Sequence, residues 1–428
     1  MKKVALQNLG CSKNLIDGER ILQLFTTAGF SITEDSTEAD IIIVNTCAFI
    51  KEAQEEAIST ILEMGLVREE GQCSTLIVSG CFSQRYRDRV REEFPEVDLW
   101  AGVDDWEKVI GTLVQSTRKP TFERVLSEPV ATQHLKIAEG CSHSCSFCVI
   151  PSIRGKFRSR TVDSILKEAD WLYEKGTREL ILVAQDTSFY GRDYGSNLTS
   201  LLEQLLSRTD FPWIRMMYLH PQFVSDDLLD LIAQEERLCS YFDIPLQHIS
   251  DPILESMNRK PLSKGIYGLI EKIRTKVPDA GIRSSFILGH PGESEKHFRE
   301  LKLFVEFARF DKLGVFPYSP EEGTRAFTMK PRPRTSTAQR RCEELMILQQ
   351  DISREILESK VGSIAEIIID RVSDDPDFNY EGRTKLDAPE VDGRVFIQSG
   401  SFDFGQILKT RIIGANDYDL YGEAINTD

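Results

Sequence analysis

The sequence predicts an α/β fold in three parts: an N-terminal open parallel α/β domain, a central (βα) partial barrel, and a small C-terminal antiparallel β-barrel of OB type. Three observations carry this reading. Aliphatic runs alternate with amphipathic helical stretches through the first third and again from about residue 135, and such strands pair in parallel because the crossover needs room that a helix fills. A stretch of mixed polar residues containing Pro120 and Pro129, residues 114–133, interrupts the alternation and reads as a linker. Beyond Gly362 the pattern turns to short alternating strands with Gly and Asp between them. The 428 residues divide accordingly into 1–120, 130–358 and 361–428.

In the first part, strand 4–9 leads to Cys11 and a helix over 14–28, strand 40–46 to Cys47 and a helix over 51–64, and strand 76–79 to Cys81 and a helix over 87–94. The cysteines are 36 and 34 residues apart, each about one βα unit. Open parallel sheets bind ligands beyond the carboxyl ends of their strands, where all three cysteines fall. In the second part, strands are expected at 134–137, 180–183, 216–219, 242–245, 283–288 and 312–316, with helices such as 162–174 and 295–307 between them, so chemistry should sit on the loops after the strands. A helix over 336–358 leads to the last segment, where 365–372 and 394–398 alternate as strands.

Composition narrows the function classes. With 41% hydrophobic and 28% charged residues the chain is an ordinary globular one. Its 52 Lys and Arg against 68 Asp and Glu leave a net charge of −16, which repels phosphate backbones at long range, so nucleic acid is not the default partner. No apolar run approaches the ~20 residues of a membrane span. Lys2 and Lys3 are followed by too few apolar residues for a signal sequence, so a cytoplasmic protein is expected. Nine cysteines in a reducing compartment do not form a disulfide framework, and an odd number cannot pair completely.

The sharpest motif is Cys141, Cys145 and Cys148, a C-x3-C-x2-C run after strand 134–137. Three thiolates on one loop can hold three irons of a cubane [4Fe–4S] cluster and leave the fourth open to an external ligand. Phe147, just before the last cysteine, is placed to lie beside an adenine. The competing reading is a zinc site with His143 as fourth ligand, although structural zinc sites usually gather two separated ligand pairs. Cys11, Cys47 and Cys81, each alone, would read as small buried hydrophobes; at equivalent places in three consecutive units they point to a second cluster with an open iron. Cys73, Cys239 and Cys342 share neither pattern and read as structural.

The Cys141 loop resembles that of the radical S-adenosylmethionine (SAM) superfamily. The whole chain, three N-terminal cysteines followed by a radical SAM barrel and a terminal TRAM-type barrel, resembles the methylthiotransferases. The resemblance implies two [4Fe–4S] clusters and SAM as cofactors, the Cys141 cluster making a carbon radical and the Cys11 cluster carrying sulfur. Leu9 to Asn14, Val183 to Thr187 with Tyr190 and Gly191, and Gly382 to Gly393 resemble the branch that modifies an aspartate of protein twelve of the small ribosomal subunit; Ser12 stands where that branch usually has Pro. That branch implies methylthio transfer to the aspartate β-carbon, with this ribosomal protein and a low-potential electron donor as partners and no membrane. The alternatives are the branch acting on transfer-RNA adenosine and a non-catalytic metal-binding module that docks on ribosomes.

Supporting residues follow from position. Gln185 and Asp186 end a strand, where they could hold the amino group or ribose of SAM, and Ile287 and Gly289 end another, where glycine lets backbone approach an adenine. Arg154, Arg158 and Arg160 could steady a carboxylate or pair with surface acids. His220 and His248 read as histidines satisfied by backbone. Residues 361–428 carry six Lys and Arg against 14 Asp and Glu, a balance of −8. That suits a basic protein partner better than RNA, whose binding is not expected to dominate.

Overall fold

The computed structural model describes residues 2–103, 105–113, 122–127, 129–398 and 400–425. Residues 114–121 of the expected linker, Pro120 among them, and 426–428 of the last part lie outside the described residues.

The N-terminal sheet is wholly parallel, in the spatial order Ser31–Ile32, Lys3–Asn8, Ile41–Thr46, Thr75–Gly80, Leu99–Trp100. The order reverses between Lys3–Asn8 and Ile41–Thr46, so the loops leaving these neighbours diverge and open a crevice at their carboxyl ends. Cys11 and Cys47 follow those two strands. All six residues of Ile41–Thr46 are buried. Ile42 and Val44 pack with Leu76, Ala57 and Ile61 on one face, while Ile41 and Ile43 pack with Ile21 and Phe25 on the other, which is why the strand reads as an unbroken aliphatic run.

The third unit departs from expectation. Its helix spans Cys81–Val90 and begins on the cysteine instead of at 87, because Gly80 (φ 92°) turns strand into helix directly. A Cβ there would lie 2.5 Å from the Thr46 carbonyl oxygen, so no other residue fits. The edge strands Ser31–Ile32 and Leu99–Trp100 and the helix Trp106–Leu113 extend the domain; two-residue strands carry no readable period.

In the centre, six parallel strands run in chain order. Thr132–Lys136, Glu179–Val183 and Trp213–Met216 form one sheet; Tyr241–Asp243, Gly281–Leu288 and Lys312–Pro317 form a second. The bridge Ile214↔Leu238 joins them, and among the described residues no ladder closes Lys312–Pro317 onto Thr132–Lys136: the barrel is partial. The strand expected at 216–219 ends at Met216, since Tyr218 enters the left-handed region (φ 61°) and leaves the ladder.

Strand alternation assigns the two faces. Leu180 and Leu182 pack outward among the helices, whereas Ile181 and Val183 face inward with Trp213 and Tyr241. Ile16 of the N-terminal helix and Ile368 and Ala388 of the terminal barrel complete this inner cluster. Each such aliphatic side chain stabilises by about 1.5–3 kcal/mol when fully buried. Charges register the parts: Glu179 takes Arg215 at 2.7 Å and Arg383 of the terminal barrel at 2.7 Å. Arg124 bridges Glu19 at 2.9 Å and Glu168 at 3.0 Å, tying the first helix to the central barrel.

The helix Thr335–Glu358 leads through Gly362 into a closed barrel ordered Ile364–Val372, Tyr380–Thr384, Val395–Ile397, Leu420–Ala424, Ile407–Ala415. Its pairs are antiparallel except Val395–Ile397 with Leu420–Ala424. No described helix is long and apolar enough to cross a membrane.

Candidate active site

All six cysteines of the two trios line one cavity of about 370 Å³ between the carboxyl ends of the N-terminal sheet and of the partial barrel. Phe147, Gln185 and Asp186 share its wall.

The dispersed trio is assembled by backbone lacing. Cys11 caps the helix Ser12–Thr27, and its carbonyl accepts from the amides of Asn14 and Leu15 at 2.8 and 3.0 Å. The Asn14 side-chain Nδ2 donates to the carbonyls of Leu9 (2.6 Å), Asn45 (3.3 Å) and Thr46 (3.2 Å), binding the first cysteine loop to the second. A Cβ on Gly10 (φ 89°) would sit 2.8 Å from the Cys47 Cβ and 3.0 Å from its Sγ, so this glycine is what lets the two cysteines approach. Cys81 joins them by opening its helix directly at the carboxyl end of Thr75–Gly80, the neighbour of Ile41–Thr46 in the sheet.

The local trio needs less. Gly140 (φ 78°) turns the chain where any Cβ would strike the Lys156 carbonyl at 2.3 Å. The Cys141 amide donates to Gly155 (3.0 Å) and the Ser146 amide to Met257 (2.8 Å), while the Ile150 amide reaches the Cys148 Sγ at 3.5 Å. Arg259 approaches the Cys145 Sγ at 3.8 Å.

Burial pushes the thiols of Cys81 and Cys141 up to about 11 and that of Cys148 up to about 12, and it raises Cys47 as well. Cys11 differs: burial pushes it up most, but Lys13, Arg154 and the backbone amides of Asn14 and Lys13 together leave it below the ordinary value. Thiols held this high ionise when a metal takes the place of the proton. Three soft sulfur donors in each of two sets, all free of disulfides, are the donor chemistry of iron–sulfur clusters, so the residues fit that group.

A buried charge relay lies beneath. Arg154 donates to Asp17 (3.1 Å), Glu139 (3.1 Å) and Asn14 (3.1 Å); Lys136 pairs with Asp17 and, at 2.8 Å, with Glu139; Gln185 donates to Glu139 at 2.8 Å. Burial would raise the Glu139 carboxyl, but Lys136 and Arg154 reverse this and hold it well below the usual range. Arg154 therefore serves the site, whereas Arg160 is spent on Glu168 and Ser164, away from the cavity lining; Arg158 is exposed.

His143 turns to Asp186 (Nε2 to Oδ2, 2.6 Å) and stacks on His220, ring centroids 4.3 Å apart at 19°. Donor atoms of these three lie within 4.8 Å of one another. Nearly parallel imidazoles aim their in-plane lone pairs along parallel planes and not at a common point, which disfavours a tetrahedral metal held by these three residues. One ring nitrogen each of His220 and His248 accepts from the amides of Gln222 (3.2 Å) and Ser250 (3.0 Å), as expected, though the Nε2 of His248 has no hydrogen bond among the described residues and His220 also lines the cavity.

Ile287 and Gly289 are not among the lining residues. A Cβ on Gly289 would meet the Ala338 Cβ at 2.6 Å, so the structure uses that glycine to admit the helix Thr335–Glu358. Sequence reasoning missed Lys13, Tyr218, Gln247 and Arg259, all on the cavity wall. Tyr218 (φ 61°) and Gln247 (φ 74°) are non-glycine residues in the left-handed region, a strain that clusters at functional sites and leaves no mark in sequence.

Known proteins agree with this architecture. The profile of an uncharacterized protein family, UPF0004, matches residues 3–102, that of the radical SAM superfamily residues 135–305, and that of the TRAM domain residues 361–425. The chain is similar to the ribosomal protein uS12 methylthiotransferase RimO of Geotalea uraniireducens, 42% identical over 99% of this chain and 98% of that protein. It is likewise similar to the same enzyme of Geobacter sulfurreducens, 41% identical over 99% of each chain, and of Alkaliphilus oremlandii, 42% over 98% of each. Among solved structures, the radical SAM methyltransferase TsrM of Kitasatospora setae shares the fold at a TM-score of 0.55 and 14% identity, over 88% of this chain and 82% of that one.

Proposed function

The chain belongs to the family of the ribosomal protein uS12 methylthiotransferases, and from that premise we infer how its own residues divide the work. It is a radical SAM enzyme that transfers a methylthio group to the β-carbon of an aspartate in uS12, using two [4Fe–4S] clusters and SAM. Cys141, Cys145 and Cys148 would hold one cluster, with SAM beside Phe147, Gln185 and Asp186; Cys11, Cys47 and Cys81 would hold the other. When bound, these groups supply the carbon-radical, sulfur and methyl chemistry that a β-C–H requires, since it has no acidity a side chain could use near neutral pH. A low-potential electron donor is the remaining partner.

The protein's tasks are to hold and orient. Asn14 and Gly10 keep Cys11 and Cys47 together, Arg154 steadies Asp17 and Glu139 beneath them, and Glu139 fixes Gln185 on the wall. What supports this reading above all is the convergence of both trios on one cavity, which would bring radical and sulfur to the same carbon.

The terminal barrel supports a protein substrate over RNA. Part of its acidity is internal: Glu381 takes Arg371 and Arg394, Asp387 takes Lys312, and Asp392 accepts from the Tyr241 hydroxyl. Asp374, Asp375 and Asp377 remain exposed and suit a basic ribosomal protein. The test is anaerobic reconstitution to about eight irons per chain, four per cluster. Reduction with SAM in the presence of recombinant uS12 or an RNA stem-loop then follows, with mass spectrometry of both. One methylthio group gained by uS12 alone is expected; a gain on the RNA would overturn the assignment.

A further inference from the structure

We propose that Lys13 recognises the carboxylate of the substrate aspartate and so sets the carbon that reacts; the proposal rests on the activity inferred above. Lys13 stands two residues after Cys11 in the first turn of the helix Ser12–Thr27, is 7% exposed, and lines the cavity of the six cysteines. Its ammonium lies 3.5 Å from the centroid of the Tyr218 ring, and among the described residues it has no ion pair and no hydrogen bond.

The neighbouring carboxylates are already taken. Asp17 accepts from Lys136 and Arg154; Glu139 accepts from Lys136, Arg154, Gln185 and the Gly140 amide. Of three buried cations, Lys136 and Arg154 thus take Asp17 and the half-buried Glu139, and Lys13 is left on the cavity wall without a bonded carboxylate among the described residues. Cys11 and Glu139 attract it without bonding it, and a ring face returns only a fraction of the hydration that a buried ammonium loses. The arrangement is stable once an anion enters.

Tyr218 is held as a platform for this lysine. Its amide donates to Asp243 at 2.9 Å and its carbonyl accepts from the Thr187 amide at 3.0 Å, which keeps its backbone at φ 61° despite the strain. The anion the reaction delivers is the aspartate carboxylate, bonded directly to the β-carbon. Anchoring it from the helix that carries Cys11 places that carbon on the side of the dispersed trio.

The test measures equilibrium binding to the reconstituted, unreduced holoenzyme. The probes are recombinant uS12 and uS12 whose modified aspartate, identified by mass spectrometry, is replaced by Asn. The wild-type enzyme should bind the Asp form about ten- to a hundredfold tighter, the range of a charge-assisted hydrogen bond. Lys13→Met, of similar length and able to lie on the Tyr218 ring, should bring that ratio near one, and Lys13→Arg should keep most of it. A Lys13→Met enzyme that retains the ratio, while its SAM affinity or a cluster midpoint potential shifts, would overturn the proposal and assign the lysine to those groups. Should Lys13→Met fail to assemble, the wild-type and Lys13→Arg ratios decide, and a wild-type ratio near one overturns the proposal. A wild-type enzyme that modifies uS12 yet binds both forms equally removes only the role of Lys13; one that never modifies uS12 removes the activity beneath it.

Discussion

The two cysteine trios face one cavity but are built in different ways. Cys141, Cys145 and Cys148 lie within eight residues on one loop, spaced by its own turn at Gly140 and steadied by backbone bonds to Gly155 and to the distant Met257. Cys11, Cys47 and Cys81 span three βα units and meet because the parallel sheet aligns its strand ends and Asn14, Gly10 and Gly80 lace the loops. The first is a property of local chain geometry, the second of a folded and docked domain. Damage to packing should therefore reach the dispersed trio first, and chemistry that needs both should fail while chemistry that needs only the loop survives.

The sharpest way to break this contrast is to remove one thiol from each set. Cys145→Ala should abolish 5′-deoxyadenosine formation in the reconstituted, reduced enzyme. Cys47→Ala should still cleave SAM but give no methylthioaspartate, measured by chromatography and mass spectrometry; product from that variant would refute the sulfur-carrier role of its trio.

Arg154→Met gives a smaller effect. It leaves Asp17 and Glu139 to share Lys136 in a buried site, and breaking such a cluster costs about 3–5 kcal/mol. The melting temperature should drop, and iron should be lost from the dispersed trio before the loop trio, followed by iron analysis and cluster spectroscopy. Equal loss from both would erase the distinction.

The smallest effect is that of acid on the seam under the dispersed trio. Burial, with Arg124 beside it, pushes His134 down from 6.5 to about 4. The unfolded chain binds that proton below pH 6.5 and the fold does not, so the contribution is intact above 6.5 and drains away as pH falls to about 4. Burial opposes the Glu179 carboxylate, but Arg383 and Arg215 hold it at about 2, so its contribution persists above 4.5 and is lost only toward 2. Melting temperature should begin to fall below pH 6.5, and His134→Gln should lessen the slope down to about 4 without abolishing it, because burial also pushes His220, His248 and His290 down.

Particular residues show where reading from sequence stops. The helix Val162–Glu174 matches the expected 162–174 because a strong apolar period and a Thr161 cap mark it. The helix Cys81–Val90 does not, since the polar residues after its buried first turn hide the period and its start depends on a close approach between Gly80 and Thr46. Gly289 was legible as a glycine with a purpose, but whether a ligand or the helix at Ala338 fills the space beside it is a matter of what packs there. The charge of the terminal barrel was legible as a sum; that Glu381, Asp387 and Asp392 turn inward was not.

From its residues alone the chain determines its alternating layers and the C-x3-C-x2-C loop, because helix and strand periods and chelate spacing are short-range properties written in neighbouring positions. Docking decides the rest. The meeting of the two trios, the plug of Ile16 and Ile368 inside the barrel, the pairing of Glu179 with Arg383, and the isolation of Lys13 all join residues far apart in the chain. Burial and counter-charge are set by what folds against a side chain, and that partner is not its neighbour in sequence.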